Sequence, residues 1–88
     1  MPTISQFYGI SISIRVREGN HHRPHFHVRY AEFEASIAMN NFEILGGRLP
    51  RRALELTPIW AALHQAELFA AWQALRDEKV PAKIAPLD

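Results

Sequence analysis

His21-His22-Arg23-Pro24-His25-Phe26-His27-Val28-Arg29-Tyr30 holds four of the chain's five histidines and closes in an alternating run. In a strand, Phe26, Val28 and Tyr30 share one face, and His25, His27 and Arg29 share the other. Pro24 fixes its φ and lacks a donor, which suits the first residue of a strand. Upstream, Ile10, Ile12, Ile14 and Val16 alternate with Ser11, Ser13, Arg15 and Arg17, so a half-buried strand is expected from Ile10 to Arg17. Glu18 to Pro24 reads as a loop, marked by Gly19-Asn20. Downstream, a strand is expected from Glu32 to Met39. Phe33, Ala35, Ile37 and Met39 alternate there with Glu32, Glu34 and Ser36. A tight turn at Ala31-Glu32 sets Tyr30 opposite Phe33, Arg29 opposite Glu34 and His27 opposite Ser36. The opposite charges of Arg29 and Glu34 favour that register by about 0.2–1 kcal/mol.

Asn40-Asn41 is a second turn, since Asn tolerates positive φ. It leads to a short fourth strand, Phe42 to Leu45, ended by Gly46-Gly47. The pattern then turns helical from Leu49-Pro50-Arg51-Arg52, with Pro near the first turn. Pro58 interrupts it: the helix kinks there, or Thr57 caps a new start. Leu56, Trp60 and Leu63 form one apolar stripe and Leu68, Trp72 and Leu75 another. The five-residue step from Leu63 to Leu68 breaks the helical phase, so two helices are expected to meet near His64-Gln65. Trp60 and Trp72 read as core. The proline-rich tail from Lys79 is not helical, and Ile84 and Leu87 are its residues suited to pack back. The expectation is a single α+β domain over residues 1–88: a small antiparallel β-meander of about four strands followed by two helices packed on one face. Its β-rich half covers about 4–46, its helical half about 50–77, and an irregular tail 78–88.

The 88 residues suffice for one modest core, burying roughly 60% of the unfolded chain's surface. There is no cysteine, hence no disulfide or thiolate metal site, which fits a reducing cytoplasm. No secretory start is read at Met1 to Gln6, and no apolar run approaches the roughly 18 residues of a membrane span. A cytoplasmic protein away from membranes is expected. A net charge of +1 argues against a strongly basic nucleic-acid binder.

A set of residues along almost the whole chain resembles one bacterial family. It comprises Pro2-Thr3-Ile4-Ser5 with Phe7-Tyr8-Gly9-Ile10, Pro24-His25-Phe26-His27, and Tyr30 with Glu32 and Glu34. Beyond these come Gly47, Leu49-Pro50-Arg51-Arg52-Ala53-Leu54, Trp60, His64, Glu67-Leu68, Trp72, Ile84 and Pro86-Leu87. Together they are similar to the domain-of-unknown-function family numbered forty-one sixty. Two positions depart from it. Ala31 stands where the family usually has Gly, which implies a looser turn. Pro58 is rare at its position, which implies an interrupted first helix. The resemblance implies a partner protein of a second small family, numbered twenty-four forty-two, encoded by an adjacent gene. Such gene pairs are similar to toxin–antitoxin modules. The resemblance implies no established activity.

Three kinds of chemistry suit the histidine stretch. His25 and His27 lie on one strand face, roughly 6–7 Å apart by strand geometry. They can ligate a divalent metal such as zinc if a third ligand comes from His21, His22, His64, Glu34 or Glu67. H-x-H alone is a weak motif, and histidine on a polar strand face is commoner as ordinary surface, so no cofactor is expected. Alternatively, His25 and His27 act as acid and base on RNA, with Arg29 beside them. Arg15, Arg17 and Arg23 then hold phosphate in a ribonuclease-like site. Exposed strand arginines are more often a solvated face. The leading reading is a binding module. A mixed-charge outer face of Arg15, Arg17, His25, His27, Arg29 and Glu34 would dock a small protein partner or a second copy. His64 and Glu67, three apart, share a helix face. His64 at a helix junction reads more simply as a cap, and Arg51-Arg52 as an exposed helix start.

Overall fold

A computed structural model of the chain describes residues 3–15 and 23–88; the expectations placed on Val16, Arg17, His21 and His22 lie outside the described residues. Five strands come first: β1 Thr3–Phe7, β2 Ile10–Ser13, β3 His25–Tyr30, β4 Phe33–Ala38 and β5 Ile44–Arg48. They form one antiparallel sheet in the order β1-β2-β3-β4-β5. Two helices follow, α1 Arg51–Leu63 and α2 Gln65–Arg76. The architecture is α+β, with five strands rather than about four.

The alternation sorts the residues onto two faces. Ile10, Ile12, Ile14, Phe26, Val28, Ala35 and Ile37 are buried on the inner face. Trp60 of α1 packs there, its ring centroid 5.3 Å from that of Phe7 and 6.2 Å from that of Phe26. Burial of so large a ring makes it worth about 3–5 kcal/mol against alanine. Leu68, Ala71 and Trp72 bring α2 into the same core. The expectation of helices on one face needs one amendment. His25 belongs by alternation to the outer face, yet its ring lies 5.2 Å from that of Trp72. His25 is the first residue of β3, so the helical layer reaches it at the end of the sheet.

The β3–β4 turn is the tight one expected: Tyr30 opposes Phe33, Arg29 opposes Glu34 and His27 opposes Ser36. Ala31 adopts φ +54° to make it, so alanine in place of glycine leaves the turn tight, not looser. The next turn corrects the reading of Asn40-Asn41. The left-handed residue is Phe42, at φ +62°. Its amide donates to the Ala38 carbonyl at 2.9 Å and the Ala38 amide donates to the Glu43 carbonyl at 2.9 Å. The two asparagines work through their side chains: Asn41 Oδ1 accepts from the Glu43 amide, and Arg23 Nη2 donates to Asn40 Oδ1.

Two strands correct the sequence reading. β1 has no clean alternation because Ile4 and Ser5 are both buried, beside a register shift between Thr3 and Ser5. β5 does not stop at Gly46-Gly47 but runs through them. A Cβ at Gly47 would lie 2.2 Å from the Glu34 carbonyl oxygen, and Gly47 has φ +77°. The glycine therefore marks close approach of two strands, not the end of one.

The helices meet at His64, as the phase break predicts. α1 runs unbroken through Pro58, with no new start at Thr57. Proline there leaves the Leu54 carbonyl without its helical donor. Leu54 is on the exposed side, where water can serve instead. Leu63 is 68% exposed and leaves the apolar stripe, whose buried members in α1 are Ala53, Thr57, Trp60 and Ala61. The tail packs back as expected. Ile84 is buried and its amide donates to the Ile4 carbonyl at 2.8 Å; Trp60 Nε1 donates to the Ala85 carbonyl at 2.8 Å. Leu87 packs against the core's edge. No helix among the described residues is long and apolar enough to cross a membrane.

Two opposite substitutions test the turns. Ala31→Gly relieves a left-handed alanine and should raise stability by about 1 kcal/mol. Gly47→Ala meets both strain and carbonyl oxygen and should cost at least about 2 kcal/mol. Urea unfolding midpoints of the two variants should move in opposite directions.

Candidate functional site

The register carries two polar rows across the outer face of the sheet. The upper row is Gln6, Ser11, Arg29, Glu34 and Arg48, from β1 to β5; the lower row is Thr3, Ser13, His27, Ser36 and Gly46. The sequential strand order assembles both. Gln6, Arg29, Glu34 and Arg48 are exposed.

Arg15, just past β2, crosses this face. Its Nε donates to His27 Nε2 at 3.1 Å, and its Nη2 lies 3.5 Å from Nδ1 of the same ring. The guanidinium continues to within 4.0 Å of Glu34 Oε1. Thus Glu34 lies across from Arg29 in the register, but its carboxylate meets Arg15. Ser36 Oγ stands 3.3 Å from His27 Nδ1. Nε2 accepts from Arg15, and Nδ1 has both Arg15 Nη2 and Ser36 Oγ as polar neighbours. His27 is only 9% exposed.

His25 is half-buried. Its ring centroid lies 5.1 Å from that of His27, edge to face. Its Nδ1 is 2.9 Å from the Arg23 carbonyl oxygen, which only accepts, so Nδ1 carries the proton. Arg23 itself turns to the β4–β5 loop, with Nη1 3.4 Å from Glu43 Oε2. Arg17 lies outside the described residues.

His64 and Glu67 do share a helix face: Nδ1 and Oε1 are 2.6 Å apart. The His64 ring also lies 5.5 Å from the Trp60 ring. The capping role belongs to its backbone, whose amide donates to the Trp60 and Ala61 carbonyls at 3.2 Å each. Arg51-Arg52 is an exposed helix start, Arg51 pairing with Glu55 at 2.9 Å and Arg52 lying over Tyr8. Among the described residues, no three His, Asp or Glu side chains gather as a metal-holding set. The structure thus joins Arg15, His25, His27, Glu34 and Ser36 in one patch, with Arg29 beside it. The His64–Glu67 pair sits at the helix junction.

The sequence reading missed the far end of the upper row. Arg48 continues the row past Glu34, and its guanidinium rests 5.4 Å from the centre of the Phe33 ring. Glu32, Phe33, Glu34, Gly47 and Arg48 line a shallow open depression of about 540 Å³ there. The signal was in the sequence: extending β5 through its glycines brings Arg48 opposite Glu34.

These features define a small antiparallel meander with a polar, arginine-bearing outer face. A comparison with protein families matches residues 9–73 to the domain of unknown function DUF4160. The chain belongs to that family. Neither the curated proteins nor the solved structures gave a match.

The buried ring of His27 supports the outer face from beneath. His27→Ala should cost about 1–3 kcal/mol, through a cavity and the lost partners of Arg15 and Ser36. Ser36→Ala, which removes one neutral hydrogen bond, should cost about 1 kcal/mol or less. Thermal or urea unfolding of the two variants checks the order.

Proposed function

We propose that the protein is a binding component of a bacterial, cytoplasmic two-gene module, and that its outer sheet face docks the small protein encoded by the adjacent gene. One observation carries this reading: the exposed upper row alternates charge, with Glu34 between Arg29 and Arg48 in the register. A folded protein can match such alternation with carboxylates and a base of its own. An RNA strand presents phosphate throughout and is repelled at Glu34 and the neighbouring Glu32. The binding needs no metal.

The ribonuclease-like alternative is weaker on the same geometry. A general base must offer its nitrogen to the substrate. In His27 one nitrogen accepts from Arg15 and the other faces Ser36, in a buried ring. The arrangement suits a side chain that positions Arg15 rather than one that exchanges protons.

Co-expression with the adjacent-gene protein tests the proposal. The wild type should co-purify with it. Arg29→Glu should weaken the complex by about tenfold or more without unfolding the chain. Glu34→Arg separates the readings. Partner affinity should fall if the ligand is a protein, whereas binding to single-stranded RNA should rise if the ligand is phosphate. RNA cleavage by the purified wild type, lost in His25→Ala and His27→Ala variants that remain folded, would overturn the binding reading.

A further inference from the structure

The sheet has two edges, and they are treated differently. The β1 edge is met by the tail: the Ile84 amide donates to Ile4 and Lys83 Nζ donates to the Thr3 carbonyl, each at 2.8 Å. The β5 edge has every residue exposed, with Ile44 at 40% and Leu45 at 41%. Two adjacent glycines leave its middle without side chains, and no proline guards it.

We infer that β5 pairs with β5 of a second copy of this chain, antiparallel across a two-fold axis between Leu45 and Gly46. The occupant follows from the order of residues. Glu43-Ile44-Leu45-Gly46-Gly47-Arg48 is complementary to its own reverse. In that register Glu43 faces Arg48 of the second copy, Ile44 faces Gly47 and Leu45 faces Gly46, and each pair occurs twice. Opposite charges close both ends, and a branched side chain covers each bare glycine backbone.

The bulge makes this register possible. In a regular strand Glu43 and Arg48, five apart, lie on opposite faces, and a two-fold perpendicular to the sheet cannot bring them together. In β5 the register with β4 shifts: Ile44 opposes Ile37, while Gly46 opposes Ser36. Leu45 is the extra residue. After it, Arg48 returns to the side that Glu43 occupies, and Ile44 and Gly47 share the inner side. A bulge commonly spoils an edge for pairing. Here the symmetry of the pair depends on it.

The interface is small. A strand pair of about six residues falls below the roughly 800 Å² per partner of a standard interface, so the dimer should be weak, in the micromolar range. It does not depend on the partner-binding reading: β5 pairs through its edge and the proposed partner docks on the face, and although Arg48 belongs to both, sedimentation of the chain alone reads only the dimer.

Sedimentation velocity of the full chain tests it, over about 1–500 µM so as to bracket such a constant. The wild type should pass from monomer to dimer across that range. Arg48→Glu sets Glu against Glu43 twice and should weaken the dimer by about tenfold or more. Adding Glu43→Arg restores opposite charges in reversed sense and should recover dimerisation. Leu45→Lys, at an exposed edge position that should leave the fold intact, should hold the chain monomeric. Circular dichroism checks that each variant is folded. A wild type monomeric throughout would overturn the proposal. A dimer that survives Arg48→Glu and Leu45→Lys unchanged, or a charge swap that fails to recover it, would overturn this interface.

Discussion

The reversal at Ala31-Glu32 sets the pairing of β3 with β4, and most of the molecule depends on that pairing. Side chains alternate with period two, so a slip of one residue would turn Phe26 and Val28 to water and His27 and Arg29 to the core. Two residues make the turn, and Ala31 holds a left-handed conformation to do so. With that register in place, β2 adds Ser11 and Ser13 beside Arg29 and His27, and β4 adds Glu34 and Ser36 on the other side. The polar rows are therefore a product of one short turn and strict alternation. The inner face is made by the same event, because it presents Phe26 and Val28 to Trp60.

The two layers are not independent. His25 touches His27 on the outer face and Trp72 of the helical layer. Gln65, the first residue of α2, donates to the Met39 carbonyl at 2.8 Å, so the helix junction also holds the β4–β5 loop. Arg23 holds that loop from the β3 side, through Asn40. The edge strand β5 thus begins from a loop fixed by both layers.

The sequence was most legible where alternation was clean. β3 and β4 could be read from it, and β2 as far as Ser13 although the alternation suggested a longer strand, together with the register of β3 on β4 and the helix junction at His64. It was least legible where local structure broke the pattern. Two consecutive buried residues hid β1. Gly46-Gly47 looked like an end and proved to be a close strand contact. Pro58 looked like a break, but the carbonyl it deprives of a donor belongs to Leu54, an exposed residue. Asn40-Asn41 invited a left-handed assignment that Phe42 took instead, since the spacing of the backbone hydrogen bonds decided the position. For the site, alternation was enough to gather His25, His27, Arg29, Glu34 and Ser36 on one side. It could not show that Arg15 reaches over His27 to Glu34. That contact depends on the length of one side chain reaching across β3 to β4, and sequence periodicity carries no such information.

The contact of Ile84 with Ile4 joins residues 80 positions apart. Closing so long a loop carries a large entropic cost, so native contacts of this span form late. During synthesis the Ile4 carbonyl has only water as its partner on that edge until residue 84 has been made. Trp60 waits as well, because its indole donates to Ala85. Until the tail docks the sheet has two open edges; afterwards, among the described residues, β5 is the open one.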